Sequence, residues 1–249
     1  MSDLQRHMLR MFIDVRRGVG WAGLLLPFVL VLGGLLIHIP VAGSMSAYYH
    51  ATPNCIVPTC PDAGTGPMRN VFVATLCLIG AALVLMRGFS IFEDIFLDIA
   101  GLAVIGVAFF PMDWGPHTRH FNPHQALAIT FFLFSGLTCA FCADKTLQEL
   151  PIEDPAQKRA AIRFYKGGYF SLAVLMAASP VIGHVIFGNT SYGTLITEVV
   201  GVFAFGLYWL LKTRELQQSQ IVRQIVTGKR TLDRRRLSGP PHHRVAEHN

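Results

Sequence analysis

Six long apolar runs leave this chain almost no choice of fold. They are Trp21 to Ala42, Val71 to Met86, Ile91 to Met112, Ala126 to Ala143, Gly168 to Phe187 and Thr194 to Leu211. A helix needs about 20 residues to cross the hydrocarbon of a bilayer. The second run reaches that length with its flanks, Met68 to Arg87. Hydrocarbon offers the backbone no hydrogen-bonding partner, so each run has to satisfy its amides within itself, as a helix. A β-barrel would need alternating segments of about 10 residues, and none occurs in the sequence. The expected fold is all-α, a six-helix transmembrane bundle.

Composition agrees. Only 14% of the 249 residues are charged, against about 25% for soluble domains. The charges that exist collect at the two ends and in one internal connector. Residues 1–214 therefore read as a six-span domain, with spans near 21–42, 68–87, 91–112, 126–143, 168–187 and 194–211. Residues 215–249 read as a basic cytoplasmic tail. Ser238-Gly239-Pro240-Pro241 breaks any helix there, and the tail is expected to be partly disordered.

Basic residues orient the bundle. Alternating through six spans, 19 Lys and Arg fall on one side and two, Arg69 and Arg119, on the other. Basic loops stay in the cytoplasm, so both termini are placed there. The fourth connector (Lys145, Lys158, Arg159, Arg163, Lys166) supports this independently of the tail. No clean cleavage site follows the first run, which suits a retained helix. Arg16 and Arg17 are expected at the headgroups, and the basic tail at anionic inner-leaflet lipids. Arg234-Arg235-Arg236 is read as a lipid contact, with no nucleic acid expected.

Topology then sorts the reactive residues. His7, His242, His243 and His248 fall in the cytoplasm, whereas His38, His50, His117, His120, His124 and His184 fall at the outer end. Asp113, Glu198 and the stretch Ser44-Met45-Ser46-Ala47-Tyr48-Tyr49-His50 join them. Glu198 lies in an apolar helix, where an ionisable group costs at least a few kcal/mol unless paired or wet. His120 and His124 are four apart and would share a helix face, although Pro123 favours a turn or helix start between them. Imidazoles and carboxylates in one place suit a metal or a moving proton. His50, His120 and His124 are the candidate metal ligands, zinc being the metal considered; Ser46, Asp113 and Glu198 are the candidate catalytic groups. Cys55 and Cys60, in the first outer connector, are disulfide candidates. Cys77, Cys139 and Cys142 fall within spans and are expected to act as small apolar residues. At the inner end Glu93 and Asp94 suit a first helical turn. Asp98, a turn deeper, needs a donor such as Arg87. Gly101, Gly106, Gly201 and Gly206 allow close helix approach, within the bundle or between protomers.

Three stretches carry a resemblance. Ser44-Met45-Ser46-Ala47-Tyr48-Tyr49-His50, Met68-Arg69-Asn70-Val71-Phe72-Val73, and Gly101 with Ile105-Gly106-Val107-Ala108-Phe109-Phe110-Pro111 resemble a bacterial family of multi-pass membrane proteins without an assigned activity. The resemblance covers residues 20 to 130 and implies a bacterial inner-membrane location. Asn54 to Gly66 is longer than that family's usual connector. A fainter similarity is to the superfamily of alkaline ceramidases and progestin/adiponectin receptors, which carry Ser, His, Asp and a late His pair around zinc in seven helices. Ser46, His50, Asp113, His120 and His124 would take those roles; the six runs and the lack of a His pair in the last one depart from it.

Two functions follow from the sequence. One is a membrane protein whose outer polar cluster binds a lipid, proton, metal or partner. The other is a zinc-dependent hydrolase of a lipid amide or ester at the outer leaflet.

Overall fold

The computed structural model describes residues 2–56, 59, 62–112, 122–187, 190–219 and 221–227. Every regular element among them is helical: α1 (Asp3–Leu36), α2 (Pro67–Leu85), α3 (Ile91–Phe109), α4 (Pro123–Phe141), α5 (Pro155–Phe187), α6 (Gly193–Ser219) and a short α7 (Ile221–Val226). Two 3₁₀ segments, Ser46–Tyr49 and Ala143–Glu149, complete the set.

Each start has a local cause. At α1 the Ser2 hydroxyl accepts from the Gln5 amide while the Gln5 side chain accepts from the Ser2 amide, a reciprocal capping box. The Ser90 and Asn122 side chains cap α3 and α4 by accepting from the Glu93 and Gln125 amides. Pro67 and Pro123 begin α2 and α4, where a missing N–H costs nothing. Asp154 accepts from the Ala156 amide ahead of α5.

The spans differ in length from the apolar runs. α1 starts at Asp3, well before Trp21, and stops at Leu36 instead of Ala42. His38 follows in a left-handed conformation, φ 62°, which an α-helix does not admit. α5 and α6 extend past their apolar runs at their charged ends, to Pro155 and Ser219.

The six long helices close into a ring. Each packs on its neighbours in sequence, and α6 returns to pack on α1. Glycine permits two close helix approaches. A Cβ on Gly206 of α6 would lie 2.7 Å from the Gly20 carbonyl oxygen of α1. A Cβ on Gly101 of α3 would lie 2.7 Å from the Gly80 oxygen of α2. Gly101 and Gly206 thus serve contacts within the bundle.

Inside the ring, Phe131, Phe132, Phe205, Tyr208 and Trp209 form a run of touching aromatic rings. Outside it lie exposed large apolar groups such as Leu36, Leu78, Leu85, Leu102 and Phe109. Four helices, α1, α2, α4 and α6, are long and apolar enough to cross a membrane. An apolar exterior of this kind is compatible with a membrane protein.

The end of the bundle where α1 starts and α6 finishes holds charge in its interior. Arg16, expected at the headgroups, is fully buried, its guanidinium 4.6 Å from the Phe12 ring and 5.1 Å from the Trp209 ring. Its nearest anion is Glu93, with Nη2 to Oε1 at 4.0 Å. Aromatic faces attract a desolvated guanidinium, and among the described residues none of its three nitrogens has a hydrogen-bond partner. Arg17 remains part-exposed, 3.8 Å from Asp14. Lys212 is also buried and donates to Glu215 Oε2 (2.5 Å), the Ala143 carbonyl (2.6 Å) and Thr146 Oγ1 (2.6 Å). Glu215 also accepts from Thr146 and Tyr169. Arg87 Nη1 lies 3.8 Å from Asp98 Oδ2, an ion-pair contact longer than a hydrogen bond.

Candidate functional site

At the opposite end, the segment after α1 turns back into the bundle. Its anchor is Gly43, whose carbonyl accepts from the Leu195 amide at 2.8 Å. That bond lays Ser44, Met45 and Ser46 against the first turns of α6, where Glu198 projects. The Ser44 hydroxyl donates to Glu198 Oε1 and Oε2 at 2.9 and 3.0 Å. The Met45 amide donates to Oε2 at 2.5 Å, and Ser46 Oγ lies 3.3 Å from Oε1. The Ser46 amide donates to Ser44 Oγ at 3.0 Å, fixing that hydroxyl. Hydrogen bonds therefore surround the carboxylate, and among the described residues no cation lies within ion-pair distance of it.

On its far side Ser46 meets α4. His124 Nε2 lies 2.8 Å from Ser46 Oγ, and His124 Nδ1 lies 2.6 Å from the Phe110 carbonyl at the end of α3. Both Ser46 and His124 are buried. A carbonyl can only accept, so Nδ1 carries a hydrogen. The result is a continuous chain, Phe110 carbonyl to His124 to Ser46 to Glu198, drawn from four elements.

The sequence candidates divide accordingly. Ser46, His124 and Glu198 come together. His50 does not join them. It stacks edge-on against Tyr49, ring centroids 5.1 Å apart, in the neighbourhood of Arg69, which bonds Tyr49 at 3.0 Å and sits over its ring. Burial holds the His50 imidazole below its ordinary range; the Met112 backbone opposes that shift and the Arg69 charge adds to it. Asp113, His117 and His120 lie outside the described residues, as does Cys60; the side chain of His184 is likewise not described. Cys55 is disulfide-bonded, whereas Cys77, Cys139 and Cys142 are free thiols. Among the described residues no three His, Cys, Asp or Glu side chains are grouped to hold a metal. Of the proposed ligands His124 has both ring nitrogens engaged by Phe110 and Ser46.

Ser44 was legible only as part of a motif. Its direct bond to Glu198 is a contact across 154 residues, which spacing cannot reveal. Phe110 contributes a backbone oxygen, which carries no residue-type signal at all.

No protein-family model, curated protein or solved structure matches this chain.

Proposed function

We propose that the chain is a six-span membrane protein of the bacterial inner membrane, with both termini in the cytoplasm and the Ser46–His124–Glu198 chain at the outer end. The four apolar helices, the lipid-like exterior and the lopsided basic charge support that arrangement. The function best supported by the geometry is proton handling at the outer face.

One observation carries this reading: a single hydroxyl, Ser46, sits between an imidazole nitrogen at 2.8 Å and a carboxylate oxygen at 3.3 Å. With His124 neutral, Nε2 is an acceptor and the Ser46 hydrogen points to it. With Nε2 protonated, the imidazolium donates to Ser46 Oγ and the hydroxyl hydrogen turns to Glu198. Passing that hydrogen to Oε1 while Nε2 gives its own to Oγ moves one proton from His124 to Glu198 and leaves Ser46 unchanged. No atom has to travel far, because Ser44 and the Met45 amide hold the carboxylate in place. An intramembrane carboxylate without a fixed cation is a recurrent element of proton relays.

The same 2.8 Å contact favours a second reading. A serine hydroxyl donating to an imidazole whose other nitrogen is fixed resembles an activated nucleophile, suited to a lipid amide or ester. Glu198 argues against it, because a carboxylate beside Ser46 would repel the oxyanion formed on attack.

Infrared spectroscopy of the full chain in lipid nanodiscs separates the two. A protonated-carboxyl band that titrates with pH, disappears in Glu198→Gln and shifts its midpoint in Ser46→Ala and His124→Gln is expected. Labelling of wild-type Ser46, but not of the Ser46→Ala variant, by a fluorophosphonate would establish the hydrolase instead. A carboxyl band indifferent to Ser46 and His124 would end the proton reading. Zinc bound stoichiometrically and lost in His124→Ala would replace it with the metal-dependent one.

A further inference from the structure

At the other end of the bundle a groove of about 690 Å³ runs between the Ala143–Glu149 segment and the first turns of α5. Gln148, Arg159, Arg163, Lys166, Gly167 and Phe170 line it. Arg159 and Arg163 are four residues apart and Lys166 three further, so the three cations form one stripe along the helix. Lys166 is paired with Asp144 at 2.9 Å. Neither arginine takes part in an ion pair among the described residues.

Beyond the cations the stripe changes character. At Gly167 an added Cβ would meet nothing within 4 Å, so the floor there is open. Phe170, one turn on, is 67% exposed. Two unpaired guanidiniums are thus followed, over roughly 10 Å of helix, by an open apolar track pointing along the bundle. A soluble anion would use the charge and leave the track empty. An amphiphile with a negative head would use both.

We infer that this groove binds an anionic phospholipid, its phosphate held by Arg159 and Arg163 and an acyl chain lying over Gly167 and along Phe170. Guanidiniums suit this task because their planar forks meet two phosphate oxygens at once. The site rests on the reading that α5 enters the membrane from its amino-terminal end, where the cytoplasmic leaflet carries the negative lipids. It is distinct from the basic tail, since every residue in it belongs to α5 or to the segment before it.

The test uses the full chain in a neutral detergent, with phosphatidylglycerol, phosphatidylcholine or inorganic phosphate added and binding read by native mass spectrometry. Phosphatidylglycerol is expected to bind at least tenfold more tightly than phosphatidylcholine. The double variant Arg159→Gln/Arg163→Gln should lose that preference. Gly167→Leu, which fills the track, should weaken phosphatidylglycerol at least threefold without removing the charges. Lys158→Gln, adjacent in sequence but outside the groove, should bind as wild type; helical circular dichroism confirms that each variant is folded. Equal binding of both lipids, or an equal loss in Lys158→Gln, overturns the site. Displacement of phosphatidylglycerol by phosphate, with Gly167→Leu silent, overturns it in favour of a soluble-anion site. Cysteine accessibility of position 158 in sealed vesicles tests the orientation separately, so a failed topology and a failed groove give different results.

Discussion

Replacing Lys212 by Met should be among the most damaging single changes in this protein. The ammonium has three hydrogens and all three are used, on Glu215 Oε2, the Ala143 carbonyl and Thr146 Oγ1, at 2.5 to 2.6 Å. Both Lys212 and Glu215 are inaccessible to solvent. Methionine fills the volume of the stem but leaves the Glu215 carboxylate buried with only two hydroxyl donors, Thr146 and Tyr169. Removing one partner of a buried pair typically costs about 3–5 kcal/mol. At about 1.4 kcal/mol per factor of ten, the unfolded fraction should rise by between about a hundred and a few thousand fold. Lys212→Met/Glu215→Gln removes both charges and retains an acceptor for the Thr146 hydroxyl, so most of the loss should return, to within about 2 kcal/mol of wild type. Reversible unfolding in mixed micelles of dodecyl sulfate and a neutral detergent, followed by circular dichroism, measures Lys212→Met, Glu215→Gln and the double variant. A Lys212→Met cost below about 1 kcal/mol, or a double variant as unstable as the sum of the singles, would refute the buried pair.

Three further outcomes are expected. His50 has a folded pKa below its unfolded one, so the unfolded chain takes up the proton first; stability should fall as pH drops below about 6.5, and His50→Gln should flatten that slope in thermal unfolding scans. Gly206→Val should cost at least about 1–3 kcal/mol, because its Cβ meets the Gly20 backbone oxygen at 2.7 Å and backbone cannot yield; Gly18→Ala, with nothing within 4 Å, should be neutral or stabilising by up to about 1 kcal/mol in the same micelle assay. Of the five cysteines, only Cys77, Cys139 and Cys142 should alkylate in denatured, unreduced protein, with all five reacting after reduction; mass spectrometry counts the adducts.

Much of this architecture could be read from the chain before any contact was known. Long apolar stretches must become helices because hydrocarbon cannot hydrogen-bond a bare backbone, and each of α1 to α6 holds most of one of them. Ser90 and Asn122 as caps, and Pro67 and Pro123 as first residues, are equally local. Asp98 was seen to need a partner such as Arg87, which lies at ion-pair distance from it. Counting charges, however, could not foresee that Arg16 and Lys212 would be buried inside the bundle. Hydropathy weighs each side chain alone, and a cation that finds aromatic faces or a buried carboxylate escapes that rule.

The tertiary structure alone decided the site. Sequence supplied a crowd of imidazoles, acids and hydroxyls near one set of run ends without saying which would meet. Folding selected Ser46, His124 and Glu198 by hinging Gly43 onto α6 and seating α4 against the end of α3. The ring closure of α6 on α1, made possible by two glycines 186 positions apart in the chain, is of the same kind. Periodicity and composition act over a few turns of chain, whereas a hydrogen bond between residues 44 and 198 exists only once every helix between them has found its neighbours.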